Sequence, residues 1–310
     1  MTNNINDNKE LYGKIIKSTG GLYTVEQTKG ENTGKIYECR AKGTFKIEKL
    51  TPLTGDAVVF LPVDDTTGFI TEISPRKNSL IRPAVANVDL LIMVVAAAKP
   101  DPDLFILDQL TAISRFNNID VLMVINKADL KNAEELASIY RNSGIDTVIL
   151  SADGREGYEP ELEYIKKKSE GKTTFFSGAS GVGKTSLLNA LYPQFCKATG
   201  EISRKISRGK HTTRVTELFK ISDGTYIGDT PGFSMVDVVG FNLLSFDGLL
   251  GSFPDIEKYA SGCKYTDCTH LCEDGCQVME AVSNGQIEKT RHASFVSLYK
   301  SLKEIKPWSK

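Results

Sequence analysis

The chain lacks a hydrophobic run long enough to cross a membrane, which takes roughly 20 apolar residues. Its longest apolar stretch, Val88 to Ala98, contains Asp89 and is more typical of a buried strand. The N-terminus, Met1 to Glu10, is polar and rich in asparagine, and it has no apolar signal-peptide core. These absences predict a soluble cytoplasmic protein with no membrane partner.

The chain also has little net charge, −1 over 310 residues, which by itself argues against a polyanionic partner. Basic residues are nevertheless concentrated in three segments. Residues 9–49 hold nine lysines and arginines against five glutamates, residues 197–214 hold six against one, and residues 286–310 hold six against two. Such segments form either solvated faces or a nucleic-acid footprint, and charge alone favours the first.

Cysteines are few, but four of the six fall within fourteen residues. In a cytosolic chain such a cluster favours a metal site over a disulfide framework. The spacing C-x4-C-x-H-x5-C offers three thiolates and one imidazole, which complete a tetrahedral zinc site with no open position. A set of four cysteines is the alternative. The candidate ligands are therefore Cys263, Cys268, Cys276 and either His270 or Cys272, whereas His292 is predicted to be a surface or capping residue.

Residues from about 10 to 73 have the pattern of short strands separated by Gly, Pro, Thr and Asp. About five such strands indicate a small β-barrel, for which an OB-fold is the first interpretation and an SH3-like barrel the alternative. The predicted strands are Leu22–Val25, Lys35–Arg40, Gly43–Ile47, Ala57–Leu61 and Gly68–Ile73. We therefore assign residues 1–74 to an OB-fold domain and residues 75–84 to a linker.

From Val88 onward, apolar strands alternate with helical segments, which indicates a mostly parallel sheet with helices on both faces. The predicted elements are strands 88–96, 120–125, 147–150, 173–177, 215–221 and 226–228, helices 102–116, 133–143 and 159–169, and a helix that begins near 183. This pattern defines a central α/β domain at residues 85–241. The remainder, residues 242–310, contains the cysteine cluster and a helical stretch, which predicts a C-terminal zinc-binding helical domain.

A G-x-x-x-x-G-K-[ST] motif lies between a predicted strand and an amphipathic helix, the context that a phosphate-binding loop requires. Its glycines let backbone N–H groups turn toward phosphates, and the helix N-terminus adds a positive dipole. Lys184 is predicted to reach the β- and γ-phosphates, and the Thr185 hydroxyl to bind Mg²⁺. The alternative is a chance glycine-rich turn. The predicted nucleotide contacts here are Gly178, Ala179, Ser180, Gly181, Val182, Gly183, Lys184, Thr185 and Ser186.

An N-K-x-D motif, comprising Asn126, Lys127 and Asp129, follows a predicted strand. The Asp129 carboxylate can accept hydrogen bonds from guanine N1–H and N2–H₂, a donor pair that adenine lacks. Lys127 is expected to lie along the base and ribose. Ser151 and Ala152, after the next strand, fit the short loop that supports guanine O6. These residues predict guanine rather than adenine nucleotides.

A D-x-x-G motif, from Asp229 to Gly232, follows a predicted strand downstream of the phosphate loop. Asp229 can hold Mg²⁺ indirectly, through the outer coordination shell of the metal, and Gly232 leaves room for a backbone N–H to contact the γ-phosphate. A switch loop between the two motifs must supply a threonine that closes on Mg²⁺. Thr213 is the first candidate and Thr212 the alternative, and a threonine pair that merely opens the next strand also fits the sequence.

The three motifs occur in a rotated order, because N-K-x-D precedes the phosphate loop, whereas ordinary GTPases carry it last. A chain with this order resembles a circularly permuted GTPase. The succession N-K-A-D, G-x-S-G-V-G-K-T, G-K-H-T-T-R, D-T-P-G-F and then a cysteine cluster is similar to that of the bacterial ribosome small-subunit-dependent GTPases, the RsgA family. The resemblance covers nearly the whole chain, including an N-terminal OB-like domain and a C-terminal zinc domain.

The resemblance implies a GTPase that binds the small (30S) ribosomal subunit, assists its late maturation and is stimulated by it. It also implies Mg²⁺ and one structural zinc ion, contacts with 16S rRNA, and His270 rather than Cys272 as the fourth zinc ligand. A monomer is the default expectation. The competing interpretations are an RNA-binding switch in which turnover is incidental, a permuted GTPase that acts on the large subunit, and an ATPase or kinase, for which Asn126 and Asp129 would have no purpose.

The position after D-x-x-G lacks the glutamine that orients the attacking water in many GTPases, because Phe233 stands there. Either another residue or a partner must therefore position the water. His211, in the predicted switch loop, is the proposed water-orienting residue, with Lys184 and the Gly232 backbone as the other catalytic groups. The alternative is a histidine that contacts RNA or is merely exposed. Without an activator, turnover is expected to be slow, on the order of 10⁻⁴ to 10⁻² s⁻¹.

Overall fold

The computed structural model describes residues 10–43, 45, 50–80, 83–152, 157–193, 216–229 and 243–304. The chain forms two compact units: residues 1–88, 171–174 and 212–231 make up the first, and residues 89–170, 175–211 and 232–310 the second. Each unit is therefore built from separate stretches of the chain. Across the described ranges, no helix combines the length and the apolar character that crossing a bilayer needs.

The first unit contains a closed barrel of five strands in the order β1-β2-β3-β5-β4. The strands are β1 (Leu11–Thr19), β2 (Leu22–Gln27), β3 (Ile36–Ala41), β4 (Ala57–Pro62) and β5 (Thr67–Ile73). Neighbours are antiparallel except β3 and β5, and β1 closes the barrel by pairing with β4. This arrangement confirms the predicted OB-type barrel. A short ribbon of β6 (Ser79–Leu80) and β7 (Val85–Ala86) follows it.

Inward-facing apolar side chains fill the barrel, as the two-residue period of a strand requires. The buried set is Ile15, Tyr23, Val25, Tyr37, Cys39, Phe45, Val58, Phe60 and Ile70. Gly13 is needed where β1 approaches β2, because a Cβ at this position would lie 2.4 Å from Val25 Cγ1. Burial raises the pKa of the Cys39 thiol to about 12, so this thiol stays protonated and unreactive.

One strand of this unit is absent from the set predicted from the sequence, and one predicted strand is wrong. The first strand, β1, is missing from them, because a register shift between Ile15 and Lys17 breaks its alternation. The predicted strand 43–47 is not a strand where it is described, since Gly43 lies in a turn and Phe45 is helical. Phe45 belongs to the barrel core, so its apolar character reflects burial rather than strand pairing.

The second unit contains sheet strands in the order β10-β9-β8-β11. They are β8 (Leu90–Ala96), β9 (Asp120–Asn126), β10 (Asp146–Ile149) and β11 (Thr173–Ser177), the last of which begins in the first unit. β8 pairs with β9 and β9 pairs with β10 in parallel. All residues of β8 are buried, as in a parallel strand covered on both faces. The loops that follow β9 and β10 therefore lie at one edge of the sheet.

The helices that alternate with these strands are α1 (Leu104–Phe116), α2 (Glu134–Asn142), α3 (Glu159–Ser169) and α4 (Lys184–Leu191). At the start of α1, Asp103 Oδ1 accepts a hydrogen bond from Ile106 N at 3.2 Å, which caps the helix. Helix α3 has glutamates in its first turn and lysines in its last, which complements the helix dipole. The predicted α/β alternation is confirmed.

The first unit also holds an antiparallel hairpin of two strands, β12 (Leu218–Ser222) and β13 (Thr225–Asp229). Charged contacts join this hairpin to the barrel. Lys17 Nζ lies 2.8 Å from Glu217 Oε2, and Lys220 Nζ lies 2.8 Å from Oε1 of the buried Glu26. The hairpin that leads into D-x-x-G is thus fixed to the outer face of β1 and β2.

The C-terminal part of the second unit is described from Leu243 onward and is mainly helical, as predicted. Its elements are a 3₁₀ turn (Leu250–Ser252) and helices α5 (Pro254–Ala260), α6 (Gln277–Ser283) and α7 (Lys289–Lys303). Helix α7 contacts α1, and Phe295 of α7 meets the ring of Phe253 edge to face with 5.6 Å between ring centres. Aromatic packing of this kind stabilises the interface.

A buried ion-pair network joins α7 to α1 and α5. Arg291, only 1% exposed, donates from Nη1 to Asp108 Oδ1 at 2.9 Å and from Nη2 to Asp255 Oδ1 at 3.0 Å. Ser294 Oγ donates to the second oxygen of Asp108 at 2.6 Å. Arg291 therefore does not contribute to the basic surface predicted for residues 286–310, because its charge is balanced inside the unit.

Candidate nucleotide site and metal centre

The phosphate-loop motif occupies the turn between β11 and α4. Gly178, Gly181 and Gly183 have positive φ angles of 159°, 82° and 91°. A Cβ on Gly178 would lie 2.3 Å from Val94 O, and one on Gly183 would lie 2.1 Å from Asn126 Nδ2. Only glycine fits positions where the backbone approaches its neighbours this closely. The loop is therefore held tightly against β8 and the end of β9.

Asn126 connects the phosphate loop to the loop after β10. Its side chain is almost fully buried. Its Nδ2 donates to Val182 O at 2.9 Å, and its Oδ1 accepts from Ala152 N at 2.8 Å. Because both ends of the amide are used inside the protein, Asn126 braces the two loops against each other.

Lys127, which directly follows β9, connects the phosphate loop to the loop after β8. Its backbone has φ 62°, a left-handed conformation that is uncommon outside glycine. Its Nζ donates to Gly181 O at 2.6 Å and to Lys99 O at 2.7 Å. The side chain thus reaches the phosphate loop, and its contact with base and ribose stays a prediction.

The Asp129 carboxylate is oriented by Ser151. Ser151 Oγ donates to Asp129 Oδ1 at 2.6 Å, and Ser151 is itself buried. An ionised carboxylate can only accept hydrogen bonds, so a fixed Asp129 selects a ligand edge with donors. Asp129, Ser151 and Ala152 lie at the sheet edge predicted to hold guanine.

The remaining phosphate-loop residues surround the start of α4. Ala179, Ser180 and Thr185 are exposed, whereas Lys184 and Ser186 are half-buried. The first N–H groups of a helix lack intrahelical acceptors, so they are available to an anion. The chain here offers an anion site that faces solvent.

The other predicted nucleotide contacts stay predictions. Asp229 is the last residue of β13 and belongs to the first unit. The segments with the predicted switch and catalytic residues fall outside the described residues; these residues are His211, Thr212, Thr213 and Gly232. The geometry therefore assembles the base-recognition and phosphate loops and leaves the switch residues as predictions.

A second site is formed by three thiols and one imidazole between α5 and α6. One ligand atom from each of Cys263, Cys268, His270 and Cys276 lies within 4.8 Å of the others. His270 Nδ1 lies 3.5 Å from Cys263 Sγ and 3.8 Å from Cys276 Sγ. Zinc bonds of about 2.0–2.3 Å in a tetrahedron set ligand atoms roughly 3.5–3.8 Å apart, so this donor set fits zinc. Cys272 is exposed and stands outside the group.

The loop that carries His270 is held by a residue that the metal motif does not include. The Glu273 carboxylate accepts hydrogen bonds from Thr269 N at 2.9 Å, Leu271 N at 3.0 Å and Cys272 N at 3.1 Å, and also from the Thr269 hydroxyl. Burial alone would raise the pKa of Glu273, but these hydrogen bonds lower it to about 2. Sequence spacing could not identify this residue, because acidic residues are common near cysteine clusters.

His292, expected at the surface or in a cap, is buried instead. Its Nε2 lies 2.7 Å from His270 O, which links α7 to the metal-binding loop. Burial lowers the pKa of His270, which favours the neutral imidazole that binds metal ions. His292 therefore supports a ligand and is not one of the four converging groups.

The assembled loops are those of a guanine-nucleotide-binding P-loop domain in which base recognition precedes the phosphate loop along the chain. They define a circularly permuted GTPase. A family model described as RsgA GTPase matches residues 73–239, and one described as RsgA N-terminal domain matches residues 12–70. The chain belongs to the RsgA GTPase family.

Relatives match along most of their length. The chain is 42% identical over 304 residues to the small ribosomal subunit biogenesis GTPase RsgA of Agathobacter rectalis, covering 94% of this chain and 98% of the relative. It is 39% identical over 297 residues to the protein of that name from Ruminiclostridium cellulolyticum, covering 94% of each. The crystal structure of YloQ, a circularly permuted GTPase, is similar with a TM-score of 0.75 and 33% identity, covering 99% of both chains. These matches agree with the three-part fold predicted from the sequence.

Proposed function

We propose that this chain binds the small (30S) ribosomal subunit and assists its late maturation, hydrolysing GTP to GDP and phosphate with stimulation by that subunit. The observation that carries the proposal is the match, over 94% of the chain, to relatives named for small ribosomal subunit biogenesis. The proposed RNA contact is 16S rRNA. The proposed state is a cytoplasmic monomer.

The geometry of the described loops supports the nucleotide contacts in this proposal. Asp129, held by Ser151, accepts the N1–H and N2–H₂ groups of guanine. Asn126 and Lys127 keep the base loop in register with the phosphate loop. Lys184 and the N–H groups at the start of α4 bind the β- and γ-phosphates.

Hydrolysis in this proposal needs residues from the switch segments as well. When bound, Mg²⁺ neutralises phosphate charge, and Thr185 and Thr213 are the side chains that would hold it, with Asp229 acting indirectly. His211 orients the attacking water. The Gly232 N–H contacts the γ-phosphate. Because the position after D-x-x-G lacks the usual glutamine, turnover without the ribosomal subunit should be slow.

A structural zinc ion is part of the proposal, because the four converging donors leave no open coordination position. Cys263, Cys268, His270 and Cys276 would hold it. When bound, zinc supplies a cross-link between the ends of the loop that joins α5 to α6. This region, the barrel and the switch loop are the proposed RNA-contacting parts.

The barrel offers a surface suited to RNA. Leu22, Arg40 and Phe69 lie side by side across β2, β3 and β5, and all three are exposed. The aromatic ring of Phe69 suits base stacking, and the Arg40 guanidinium beside it suits phosphate contact. This supports the assignment of the barrel as an RNA-binding domain.

GTP hydrolysis by the purified chain, with and without 30S subunits, tests the proposal. We expect strong stimulation by 30S subunits with GTP alone, and none by 50S subunits or with ATP. Equal rates in all reactions would contradict the proposed partner. Lys184→Ala should abolish the stimulated rate, whereas Lys131→Ala, a change at an exposed lysine outside the phosphate loop, should leave it unchanged.

A further inference from the structure

The metal-binding loop contains a carboxylate, that of Glu273, which accepts hydrogen bonds from the loop but is not one of the four converging metal donors. Four donors point at the Glu273 carboxylate: the N–H groups of Thr269, Leu271 and Cys272, and the Thr269 hydroxyl. These donors flank His270 on both sides. A single side chain therefore fixes the direction of the backbone through the segment that carries one candidate ligand.

The conformation held in this way is one that an unconstrained chain disfavours. His270 has φ 61°, in the left-handed region where residues with a Cβ are disfavoured. Such conformations persist when surrounding contacts over-determine them. Here the contacts are the hydrogen bonds to Glu273 and the 2.7 Å contact between His292 Nε2 and His270 O.

The same hydrogen bonds also control a competing ligand. Cys272 is exposed, and its N–H is bound to Glu273 at 3.1 Å, whereas His270 Nδ1 lies 3.5 Å from Cys263 Sγ. The loop is thus folded with the imidazole inside and the extra thiol outside. Without the carboxylate, nothing else in the described part of this loop holds Leu271 N and Cys272 N in these directions.

We propose that Glu273 is a positioning residue that sets the zinc ligands, holding His270 in the site and Cys272 out of it before the metal arrives. The inference rests on the proposed zinc site. Residues that orient metal ligands typically change affinity by about 10–100-fold when they are replaced. Glu273 should therefore govern both how tightly zinc is held and which donor completes the tetrahedron.

The affinity test compares the full-length wild type with Glu273→Gln in a zinc competition titration against a chromophoric chelator. Glu273→Gln should raise the zinc dissociation constant by about 10–100-fold. Asp274→Asn is the matched control: it removes the same charge one residue later, from a side chain that is 93% exposed and pairs with Lys264 at 3.4 Å. An unchanged constant in Glu273→Gln would overturn the proposal, as would an equal loss in Asp274→Asn, since long-range charge would then explain the effect.

The ligand-choice test replaces zinc with cobalt(II), whose absorption reports the number of thiolates bound. Wild type should show a three-thiolate spectrum, and Glu273→Gln should gain thiolate-to-metal charge-transfer intensity that the added change Cys272→Ser removes. Identical spectra in all three would contradict the assignment of ligand choice to Glu273. If Glu273→Gln does not retain GDP binding, Thr269→Val, which removes one donor to the same carboxylate, carries both tests with a smaller expected effect.

Failure of the zinc site itself gives a different result. A wild-type chain that binds neither zinc nor cobalt at one equivalent would remove the proposed metal centre. A wild type that binds one equivalent, together with a Glu273→Gln chain that matches it in affinity and spectrum, would remove only the role of Glu273.

Discussion

Asp129 is the carboxylate predicted to read the base, and it accepts a 2.6 Å hydrogen bond from Ser151 Oγ. Asp129→Asn places an amide N–H₂ where guanine presents its own donors. We expect the affinity for GDP to fall by at least about 100-fold, because donors would then face donors. Xanthosine diphosphate, which has a carbonyl at C2, should bind better to the variant than to wild type. Calorimetric titration with both nucleotides measures their affinities for wild type and for the variant.

Ser151→Ala is the control for this prediction, since it removes the orienting hydroxyl and keeps the carboxylate. Its loss of GDP affinity should be smaller, about 10-fold, with no gain for the xanthine nucleotide. Equal GDP affinity in Asp129→Asn and wild type would show that the base is not read at this position.

Residues in short motifs could be predicted because their spacing is local. Asn126 and Val182, which share a hydrogen bond, are 56 positions apart. Each nevertheless belongs to a short motif that can be recognised from the adjacent residues alone. Glu273 and His292 could not be identified in this way, because an acidic or imidazole side chain acquires its role only from the atoms it meets after folding. The roles of His211, Thr213 and Gly232 stay predictions, since their segments lie outside the described residues.

At the scale of helices and strands, the pattern of apolar residues predicted the secondary structure correctly where a whole element has one pattern of burial. The buried strand β8 and the alternating strands and helices of the second unit were predicted because each has one dominant period. The barrel was harder. A register shift hid β1, and the apolar Phe45 suggested a strand although its burial comes from packing in the core.

The contact between α1 and α7 depends on one buried cation. Arg291→Met would leave Asp108 and Asp255 as buried carboxylates without their shared partner. We expect the free energy of unfolding to fall by roughly 3–5 kcal/mol, the usual cost of breaking a buried ion pair from one side. Urea denaturation monitored by far-ultraviolet circular dichroism measures the free energy of unfolding of the variant and of the wild type.

Arg141→Met is the matched control for this element, because Arg141 pairs with Glu134 on the surface of α2 at 2.9 Å. Exposed pairs contribute about 0–1 kcal/mol, so this variant should be nearly as stable as wild type. If the two arginine variants lost equal stability, burial would not explain the contribution of Arg291 to the free energy of unfolding.

At the scale of the whole molecule, the compact units do not follow the order of the sequence. The hairpin of β12 and β13 belongs with the barrel, and the helices after residue 243 belong with the central sheet. A composition shift along the chain cannot reveal this arrangement, because it depends on contacts between distant segments. The boundaries at residues 74, 84 and 241 stay predictions.

Metal removal should affect the second unit selectively. Treatment with a strong zinc chelator should lower the thermal midpoint and open the segment between α5 and α6 to protease, because the cross-link among its thiols is lost. Cleavage should concentrate at residues 261–276, and the barrel should remain intact. Added zinc should restore protection, and added Mg²⁺ should not. Protease resistance that is unchanged by chelation would contradict a structural role for the metal.

The buried network around Arg291 also constrains how the sequence can vary. Asp108, Asp255 and Arg291 are separated by up to 183 positions, yet they form one buried network in which two carboxylates share a single guanidinium. Loss of Arg291 leaves two buried carboxylates without a cation, so its replacement should be tolerated only together with changes at Asp108 and Asp255. Across descendants of a common ancestor, these three positions should be inherited or exchanged as a set, and that covariation would record the docking of α7 on α1 without any structure being known.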